Sequence, residues 1–279
     1  MVEDNRITCN VCMHHCHLQE GQVGRCRARK NINGVRTSIN YGYITGSALD
    51  PIEKKPLACF YPGSKILSVG SFGCNLSCPF CQNASIAAAG ETETTTFPVT
   101  PEKLAKTALE LQNQGNIGVA YTYNEPLIGY EFVRDTARLV REKGMKNVVV
   151  TNGSALREAV QDIFPLIDAY NIDLKGFTQK YYDLLGGSLE TVKEFITEAV
   201  KWSHVEVTTL VVPGENDSEE EIQNLCAWLA AIGKDIPLHL TRFFPRHRMQ
   251  DREATEVGLL LRLQKIALQY LSRVYLGNV

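Results

Sequence analysis

Hydrophobic and polar positions follow two repeating patterns along this chain. Short runs rich in β-branched and aliphatic residues predict seven strands: Lys65–Phe72, Asn116–Tyr123, Asn147–Thr151, Ala169–Leu174, Val205–Val212, Pro237–Phe243 and Arg273–Val279. Longer stretches with a helical period lie between most of them: Pro101–Gln112, Leu127–Lys143, Leu189–Trp202, Ser218–Ile232 and Thr255–Leu271. Strands and helices that alternate at this spacing predict parallel βαβ units.

The predicted strands end in candidate functional residues: Cys74, Glu125, Thr151, Asn152, Asp173, Pro213 and Arg242. Sites at the carboxyl ends of parallel strands are typical of TIM-like barrels. Because six or seven units are present instead of eight, we expect an α/β fold with a partial, open TIM-like (β/α)6 barrel over residues 58–279. Residues 1–57 do not alternate in this way, and we expect them to form a small N-terminal cysteine-rich cap and a linker.

Composition narrows the possible functions. With 279 residues, 44% of them hydrophobic, the chain can bury one substantial core. A net charge of −2 gives no field that would attract nucleic acid or an anionic membrane. No apolar run approaches the length of a membrane span, and the polar start lacks the apolar segment of a signal peptide. We therefore expect a cytoplasmic protein, where clustered cysteines indicate metal or redox ligands.

Three of the nine cysteines have the spacing C-x3-C-x2-C: Cys74, Cys78 and Cys81. An ordinary [4Fe-4S] cluster takes four cysteines, so three thiolates leave one iron open to a small molecule. The alternative is a three-cysteine zinc site whose fourth ligand is not apparent. Together with Phe80, this motif resembles the signature of the radical SAM superfamily.

The resemblance implies a mechanism. S-adenosylmethionine (SAM) chelates the open iron through its amino and carboxylate groups. One electron from the reduced cluster breaks the sulfonium C–S bond, and a 5′-deoxyadenosyl radical then abstracts a hydrogen atom. A reductant of the flavodoxin or ferredoxin type is implied as well.

The segment Tyr123-Asn124-Glu125 before Pro126 lies where radical SAM proteins carry a Gly-Gly-Glu-Pro-like motif. The resemblance implies that Glu125 receives the SAM ammonium group, with Tyr123 and Asn124 in place of the glycines. The alternative is a solvated glutamate in a turn.

Two further strand ends are similar to segments of glycyl-radical-activating enzymes. Thr151 and Asn152 match a Thr-Asn-Gly that meets the SAM carboxylate, although Asn-Gly is also a common turn. Asp173 and Lys175 match an Asp-Leu-Lys near SAM and a monovalent cation, and their spacing lets both point to one face. An ion pair at the strand end is the alternative.

His239 lies on the predicted strand Pro237–Phe243. The resemblance implies that it approaches the adenosine or the substrate. A histidine with a hydrogen-bonded place in the core is the alternative.

Four further cysteines lie near the N-terminus with the spacing C-x2-C-x3-C-x9-C: Cys9, Cys12, Cys16 and Cys26. Four thiolates suffice for a closed site, which could hold zinc or an auxiliary iron–sulfur cluster.

Several linked stretches are similar to the radical SAM enzyme of the AmmeMemoRadiSam system, kin of pyruvate formate-lyase-activating enzymes. They are Cys9–Cys26, Asp50–Leu57, Phe60–Gly63, Gly73–Leu76, Cys81–Asn83, Tyr121–Pro126, Val212–Asp217 and Gly277–Val279. Those enzymes continue into a C-terminal C-x-x-C segment, so the resemblance implies that this chain is truncated. It also implies either a protein substrate, whose glycine loses hydrogen, or Memo-like and AMME-like partners.

We therefore expect an oxidoreductase of the radical SAM type, and the sequence leaves its substrate open. The alternative is a non-catalytic metal-binding or electron-transfer protein in which both cysteine groups are structural. A third possibility is an enzyme that cleaves SAM differently or works as the activase subunit of a larger complex.

Overall fold

The computed structural model describes residues 5–279. The first four residues of the predicted cap lie outside this range. The strands, in chain order, are β1 (Ile7–Thr8), β2 (His17–Leu18), β3 (Arg29–Ile32), β4 (Val35–Ser38), β5 (Tyr43–Ile44), β6 (Gly46–Pro51), β7 (Lys65–Gly70), β8 (Phe97–Pro98), β9 (Asn116–Tyr121), β10 (Lys146–Thr151), β11 (Ala169–Asp173), β12 (His204–Val211), β13 (Leu238–Arg242) and β14 (Val274–Gly277).

The α-helices are α1 (Ala84–Ala87), α2 (Pro101–Glu110), α3 (Tyr130–Glu142), α4 (Arg157–Val160), α5 (Gln179–Leu185), α6 (Leu189–Ala199), α7 (Glu219–Ile232) and α8 (Val257–Ala267). Short 3-10 helices cover Ile52–Lys54, Gln112–Gln114, Pro126–Gly129 and Phe164–Leu166. Two predicted helix starts are confirmed by their caps. Thr100 accepts a hydrogen bond from the Lys103 N–H at 3.2 Å, and Ser218 accepts one from the Glu221 N–H at 3.2 Å.

Eight strands form the central sheet in the order β14-β13-β12-β11-β10-β9-β7-β6. Strands β7 to β14 of this sheet run parallel to their neighbours, and β6 pairs antiparallel with β7 at one edge. All seven predicted strands are present. In the described part of the chain β14 and β6 are the two ends of the sheet, so the predicted partial, open barrel is confirmed.

The two faces of the sheet are covered differently. The main hydrophobic core lies between one face of the sheet and the helices. It includes Val149 of β10 together with three residues of α3: Val133, Ala137 and Val140. On the opposite, inner face, Ile52, Leu57 and Phe60 pack among small and branched side chains of the strands: Ile66, Ala120, Val148 and Ala169. Residues 52–60 thus fill the inside of the open barrel. The domain boundary between residues 57 and 58 stays a prediction.

The N-terminal region forms two small hairpins, β1–β2 and β3–β4, that lie against the barrel. Arg29 anchors them, because its guanidinium forms two hydrogen bonds of 2.6 Å to the carboxylate of Glu131 in α3. The Arg29 side chain is 1% exposed, and such a bidentate pair fixes orientation as well as position. No helix in residues 5–279 is both long enough and apolar enough to span a bilayer.

Candidate active site

A cavity of about 360 Å³ lies at the carboxyl ends of β9 to β13. Ten of the residues predicted from the sequence line it: Cys74, Cys78, Cys81, Tyr123, Asn124, Glu125, Thr151, Asn152, Asp173 and Lys175. The parallel strands bring these residues together from distant parts of the chain, because their carboxyl ends meet at one end of the sheet.

The loop after β7 carries the three cysteines and is fixed by backbone hydrogen bonds. Gly73 has a φ of +87° and donates its N–H to the Ile86 carbonyl at 3.0 Å. Ser77 donates its N–H to the Leu185 carbonyl at 2.8 Å. Burial raises the pKa of Cys78 to about 11. A metal bound there therefore displaces a proton from the thiol.

Glu125 lies at the base of the cavity and is 2% exposed. Its Oε1 accepts hydrogen bonds from the Thr151 hydroxyl at 2.7 Å and from the Leu127 N–H at 3.0 Å. Its Oε2 accepts one from the Asn152 N–H at 2.8 Å. Burial raises the pKa of Glu125 to about 7, although these hydrogen bonds oppose the shift. A carboxylate offers about four acceptor positions, so one position on Oε2 is left for a ligand.

Asn152 connects Glu125 to the cysteine loop. Its side-chain Nδ2 donates to Asn75 Oδ1 at 2.9 Å and lies 3.5 Å from Cys74 Sγ. Thr151 bonds to Glu125 from the same strand end. Thr151 and Asn152 thus hold the Glu125 carboxylate beside Cys74. The Asn-Gly segment therefore does more than form a turn, because it also positions this carboxylate.

Asn124 and Tyr123 support the cysteine loop from below. Asn124 Nδ2 donates to the Gly73 carbonyl at 3.1 Å, and Asn124 Oδ1 accepts from the Ser71 N–H at 2.9 Å. Tyr123, with a φ of +73°, donates its hydroxyl to Asp50 at 2.7 Å. The side chain of Asn124 is therefore directed to the protein backbone and positions the loop. The Tyr123 carbonyl accepts a hydrogen bond from Asn83 Nδ2 at 2.8 Å, so Tyr123 contacts the same loop just after Cys81.

Asp173 and Lys175 form an ion pair at the end of β11, which was the alternative to a direct role in binding SAM or a cation. This ion pair lines the cavity. Lys175 Nζ lies 2.6 Å from Asp173 Oδ2. Burial acts to lower the pKa of Lys175, but the negative charges of Asp173 and Cys78 outweigh it and raise that pKa above its usual value. Lys175 is thus a fixed positive charge close to the cysteines.

The structure does not bring His239 to the cavity. His239 Nε2 lies 2.7 Å from Glu206 Oε2, and its ring stacks on Tyr275 with centroids 5.3 Å apart. Thr241, two residues further along β13, lines the cavity instead. A strand advances about 6.6 Å over two residues, so His239 lies one layer deeper inside the barrel. His239 is therefore a hydrogen-bonded core histidine, the alternative to a position near the adenosine or the substrate.

Glu206 was missed in the sequence analysis. Its buried carboxylate accepts from the N–H groups of Ala58 and Cys59 at 2.9 and 2.7 Å, besides contacting His204 and His239 at 2.9 and 2.7 Å. A single glutamate inside a strand gives no motif. The interruption of an apolar run by Glu206 was its only signal.

A family model described as the radical SAM superfamily matches residues 68–226. The chain belongs to this superfamily. Membership implies a [4Fe-4S] cluster and SAM, and the fold is that of a radical SAM enzyme.

Two relatives and one solved structure illustrate the likeness. An uncharacterized protein of Methanocaldococcus jannaschii is 38% identical over 283 residues, which cover 100% of this chain and 83% of that protein. The pyruvate formate-lyase 1-activating enzyme of Escherichia coli is 25% identical over 194 residues, 67% of this chain and 76% of that enzyme. SuiB of Streptococcus suis, bound to SAM, shares the fold with a TM-score of 0.58 at 14% identity, over 76% of this chain and 51% of SuiB.

The three cysteines of the radical SAM motif fit the cluster that membership implies. They supply three sulfur ligands around an open cavity, which matches a cubane with one unligated iron. Among residues 5–279 no three His, Cys, Asp or Glu side chains lie close enough to ligate one metal ion. Cysteines around a cubane bind different irons and lie further apart than the ligands of one ion, so this spacing is compatible with a cluster.

Proposed function

We propose that this chain is a pyruvate formate-lyase-activating-enzyme-like oxidoreductase. A [4Fe-4S] cluster on Cys74, Cys78 and Cys81 would supply the electron that cleaves SAM to a 5′-deoxyadenosyl radical, which abstracts hydrogen from a substrate. The residues around the cluster would bind and orient SAM. A flavodoxin or ferredoxin would be the reductant. The cytoplasmic location, the monovalent cation and the AmmeMemoRadiSam subfamily stay predictions.

The Glu125 carboxylate is the observation that carries this proposal. It is buried, directed into the cavity beside Cys74, and retains one free acceptor position on Oε2. A buried carboxylate is stabilised by a cation, and the ammonium group of SAM is a cation with donors to spare. Glu125 would thus hold the amino end of SAM at the open corner of the cluster.

The remaining lining would orient the rest of SAM. Thr151 and Asn152 keep Glu125 in one position through hydrogen bonds of 2.7 and 2.8 Å. Lys175, a partly buried positive charge, suits the carboxylate of the ligand or the sulfur ligands of the cluster. The apolar side chains Phe80 and Leu210 in the lining would exclude water from the reacting centre.

We propose a glycine of a protein as the substrate, or partners of the Memo-like or AMME-like kind. The support is the relationship to the activating enzyme of Escherichia coli, which covers 67% of this chain.

Quantifying 5′-deoxyadenosine tests the first part of the proposal. The full chain is reconstituted anaerobically with iron and sulfide, reduced with dithionite and incubated with SAM. We expect 5′-deoxyadenosine from the wild type and from the control variant Cys226→Ala. Cys226 is a residue of α7 that is buried in the hydrophobic core. Loss of product is expected in Cys78→Ala. No product from wild type with a fully loaded cluster would refute the proposed chemistry.

Deuterium transfer tests the substrate class. Pyruvate formate-lyase prepared with deuterated glycine is added to the same reaction. Deuterium in the 5′-deoxyadenosine, with a glycyl radical signal, would support glycine as the hydrogen donor. Product without deuterium would exclude this glycyl protein as the substrate and leave the SAM cleavage intact.

A further inference from the structure

The four N-terminal cysteines lie on two adjacent turns. Cys9, Cys12 and Cys16 belong to the β1–β2 hairpin, in which the Cys9 N–H donates to the Cys16 carbonyl at 2.8 Å. Cys26 lies in the turn before β3, where the Gly24 N–H donates to the Arg29 carbonyl at 2.7 Å. None of these described cysteines forms a disulfide. Two local turns therefore present four thiols at one end of the cap.

Three of the four cysteines are buried, and Cys16 is partly buried. Cys9, Cys12 and Cys26 are 5%, 7% and 6% exposed. Burial raises the pKa of Cys12 to about 11, and the nearby charges of Cys26 and Cys9 add to the shift. A Cβ on Gly24 would lie 3.7 Å from Cys16 Sγ, so the chain passes close to this fourth thiol. Buried cysteines that form no disulfide are candidate metal ligands.

A bridge of side-chain amides connects this group to the radical SAM cysteines. The Asn75 side chain lies near Cys12 and lowers the pKa of its thiol, against the larger effect of burial. Asn75 Oδ1 accepts from Asn152 Nδ2 at 2.9 Å, and the same Nδ2 lies 3.5 Å from Cys74 Sγ. Two amide side chains thus separate Cys12 from Cys74.

The backbone brings the two groups together a second time. A Cβ on Gly73 would lie 2.5 Å from the Cys26 carbonyl oxygen, so the residue before Cys74 is packed directly on Cys26. His14, in the same hairpin, lies with its Nε2 2.7 Å from the Asn75 carbonyl. The two cysteine groups are therefore neighbours across a continuous contact.

The spacing of the four cysteines along the chain favours a cluster over zinc. Structural zinc sites of four cysteines commonly use two C-x2-C pairs, whereas here Cys9, Cys12 and Cys16 are grouped and Cys26 is remote, as in ferredoxins.

We infer that Cys9, Cys12, Cys16 and Cys26 hold a second iron–sulfur cluster, beside the radical SAM site where Gly73 packs on Cys26. Its role, which rests on the proposed function, is to pass electrons. One electron from a ferredoxin-type donor is taken up at the N-terminal site and passed to the radical SAM site. The N-terminal site is thereby reoxidised, and no proton or atom is transferred.

Metal analysis of a variant without the radical SAM ligands tests this inference. In the full chain with Cys74→Ala, Cys78→Ala and Cys81→Ala, reconstituted anaerobically, we expect about four irons per chain and an electron paramagnetic resonance signal after reduction. About one zinc and no iron would overturn the inference. This variant makes no 5′-deoxyadenosine in either case, so its metal content is independent of the proposed function.

The wild-type chain supplies a second test that needs no variant to fold. We expect about eight irons per chain and magnetic interaction between the two reduced clusters, seen as broadened signals. About four irons with one zinc, together with normal SAM cleavage, would overturn the inference and leave the proposed function standing.

Discussion

Glu125 accepts a hydrogen bond of 2.8 Å from the backbone N–H of Asn152, and this bond joins the ends of two neighbouring strands under the cavity. The same Asn152 donates its side chain toward Cys74 at 3.5 Å. One carboxylate is thus fixed with respect to the first cluster ligand by a single intervening residue. The backbone of the barrel therefore holds this carboxylate beside the cysteine to which we assign the cluster.

Replacing Glu125 by Gln should weaken SAM binding. The variant keeps the shape of the side chain but loses the negative charge that faces the ammonium group. We expect the dissociation constant of SAM to rise by roughly tenfold to a hundredfold, the equivalent of a charged hydrogen bond of about 1.5–3 kcal/mol. Iron content should stay unchanged. Equilibrium binding of SAM to the reconstituted protein measures this effect, with Glu110→Gln on the surface of α2 as the control.

An unchanged SAM affinity in Glu125→Gln would remove Glu125 from the binding site. A parallel loss of iron would instead show that the residue shapes the cysteine loop.

Asn124→Ala should impair loading of the cluster. The substitution removes the hydrogen bonds from Asn124 to the Gly73 carbonyl and from the Ser71 N–H. We expect the free energy of unfolding to fall by about 1–3 kcal/mol and iron per chain to decrease. Asn113→Ala, at an exposed position of the 3-10 helix Gln112–Gln114, is the matched control. Equal iron content in both variants would contradict a positioning role for Asn124.

Comparing Gly73→Ala with Gly115→Ala distinguishes the stability lost through backbone strain from the stability lost through a clash with the N-terminal cap. Both glycines have positive φ, at +87° and +89°, but a Cβ meets the Cys26 carbonyl at 2.5 Å only at Gly73, while Gly115 has nothing within 4 Å. We expect Gly115→Ala to cost roughly 1–2 kcal/mol of unfolding free energy from strain alone. Gly73→Ala should cost clearly more and disturb metal loading. Equal losses in denaturant titrations would show that the cap contact is unimportant.

Glu206 should make stability depend on pH in acid. Burial acts to raise its pKa, but hydrogen bonds from His204, His239 and the backbone of Cys59 and Ala58 lower the pKa to about 2, from an ordinary value of 4.5. Its contribution is complete above pH 4.5 and is lost as the pH falls through 2. From the size of this pKa shift we expect the Glu206 charge to contribute about 3 kcal/mol to the free energy of unfolding.

Chemical denaturation of the wild type and Glu206→Gln between pH 2 and pH 6 measures that contribution. The difference in unfolding free energy between the two proteins should shrink as the pH falls from 4.5 to 2. A difference independent of pH would mean that the Glu206 charge does not stabilise the fold.

The parallel strands were predictable because each is an apolar run separated from the next by a helical pattern. Strand β6 was not predicted. Its sequence Gly-Ser-Ala-Leu-Asp-Pro has mostly accessible side chains and ends in proline, so it has no apolar pattern and owes its place to pairing with β7. Edge strands of this kind depend on tertiary contacts that periodicity does not contain.

The site could be predicted where its residues follow the rule that functional side chains lie at the carboxyl ends of parallel strands. Cys74, Glu125, Thr151 and Asp173 follow buried strands and lie together as expected. His239 shares the inner face of β13 with Thr241, but depth along a strand is set by register, which periodicity does not reveal. Asn75 was missed because its role depends on Asn152, which is 77 residues away in the chain.

The most direct test of this account is an electron paramagnetic resonance spectrum of the reduced, reconstituted protein before and after addition of SAM. Coordination of SAM to the open iron, with its ammonium group held by Glu125, should change the signal of the radical SAM cluster in the wild type. The signal should change much less in Glu125→Gln at the same SAM concentration. A fully loaded wild-type cluster whose signal is unaffected by saturating SAM would contradict the account.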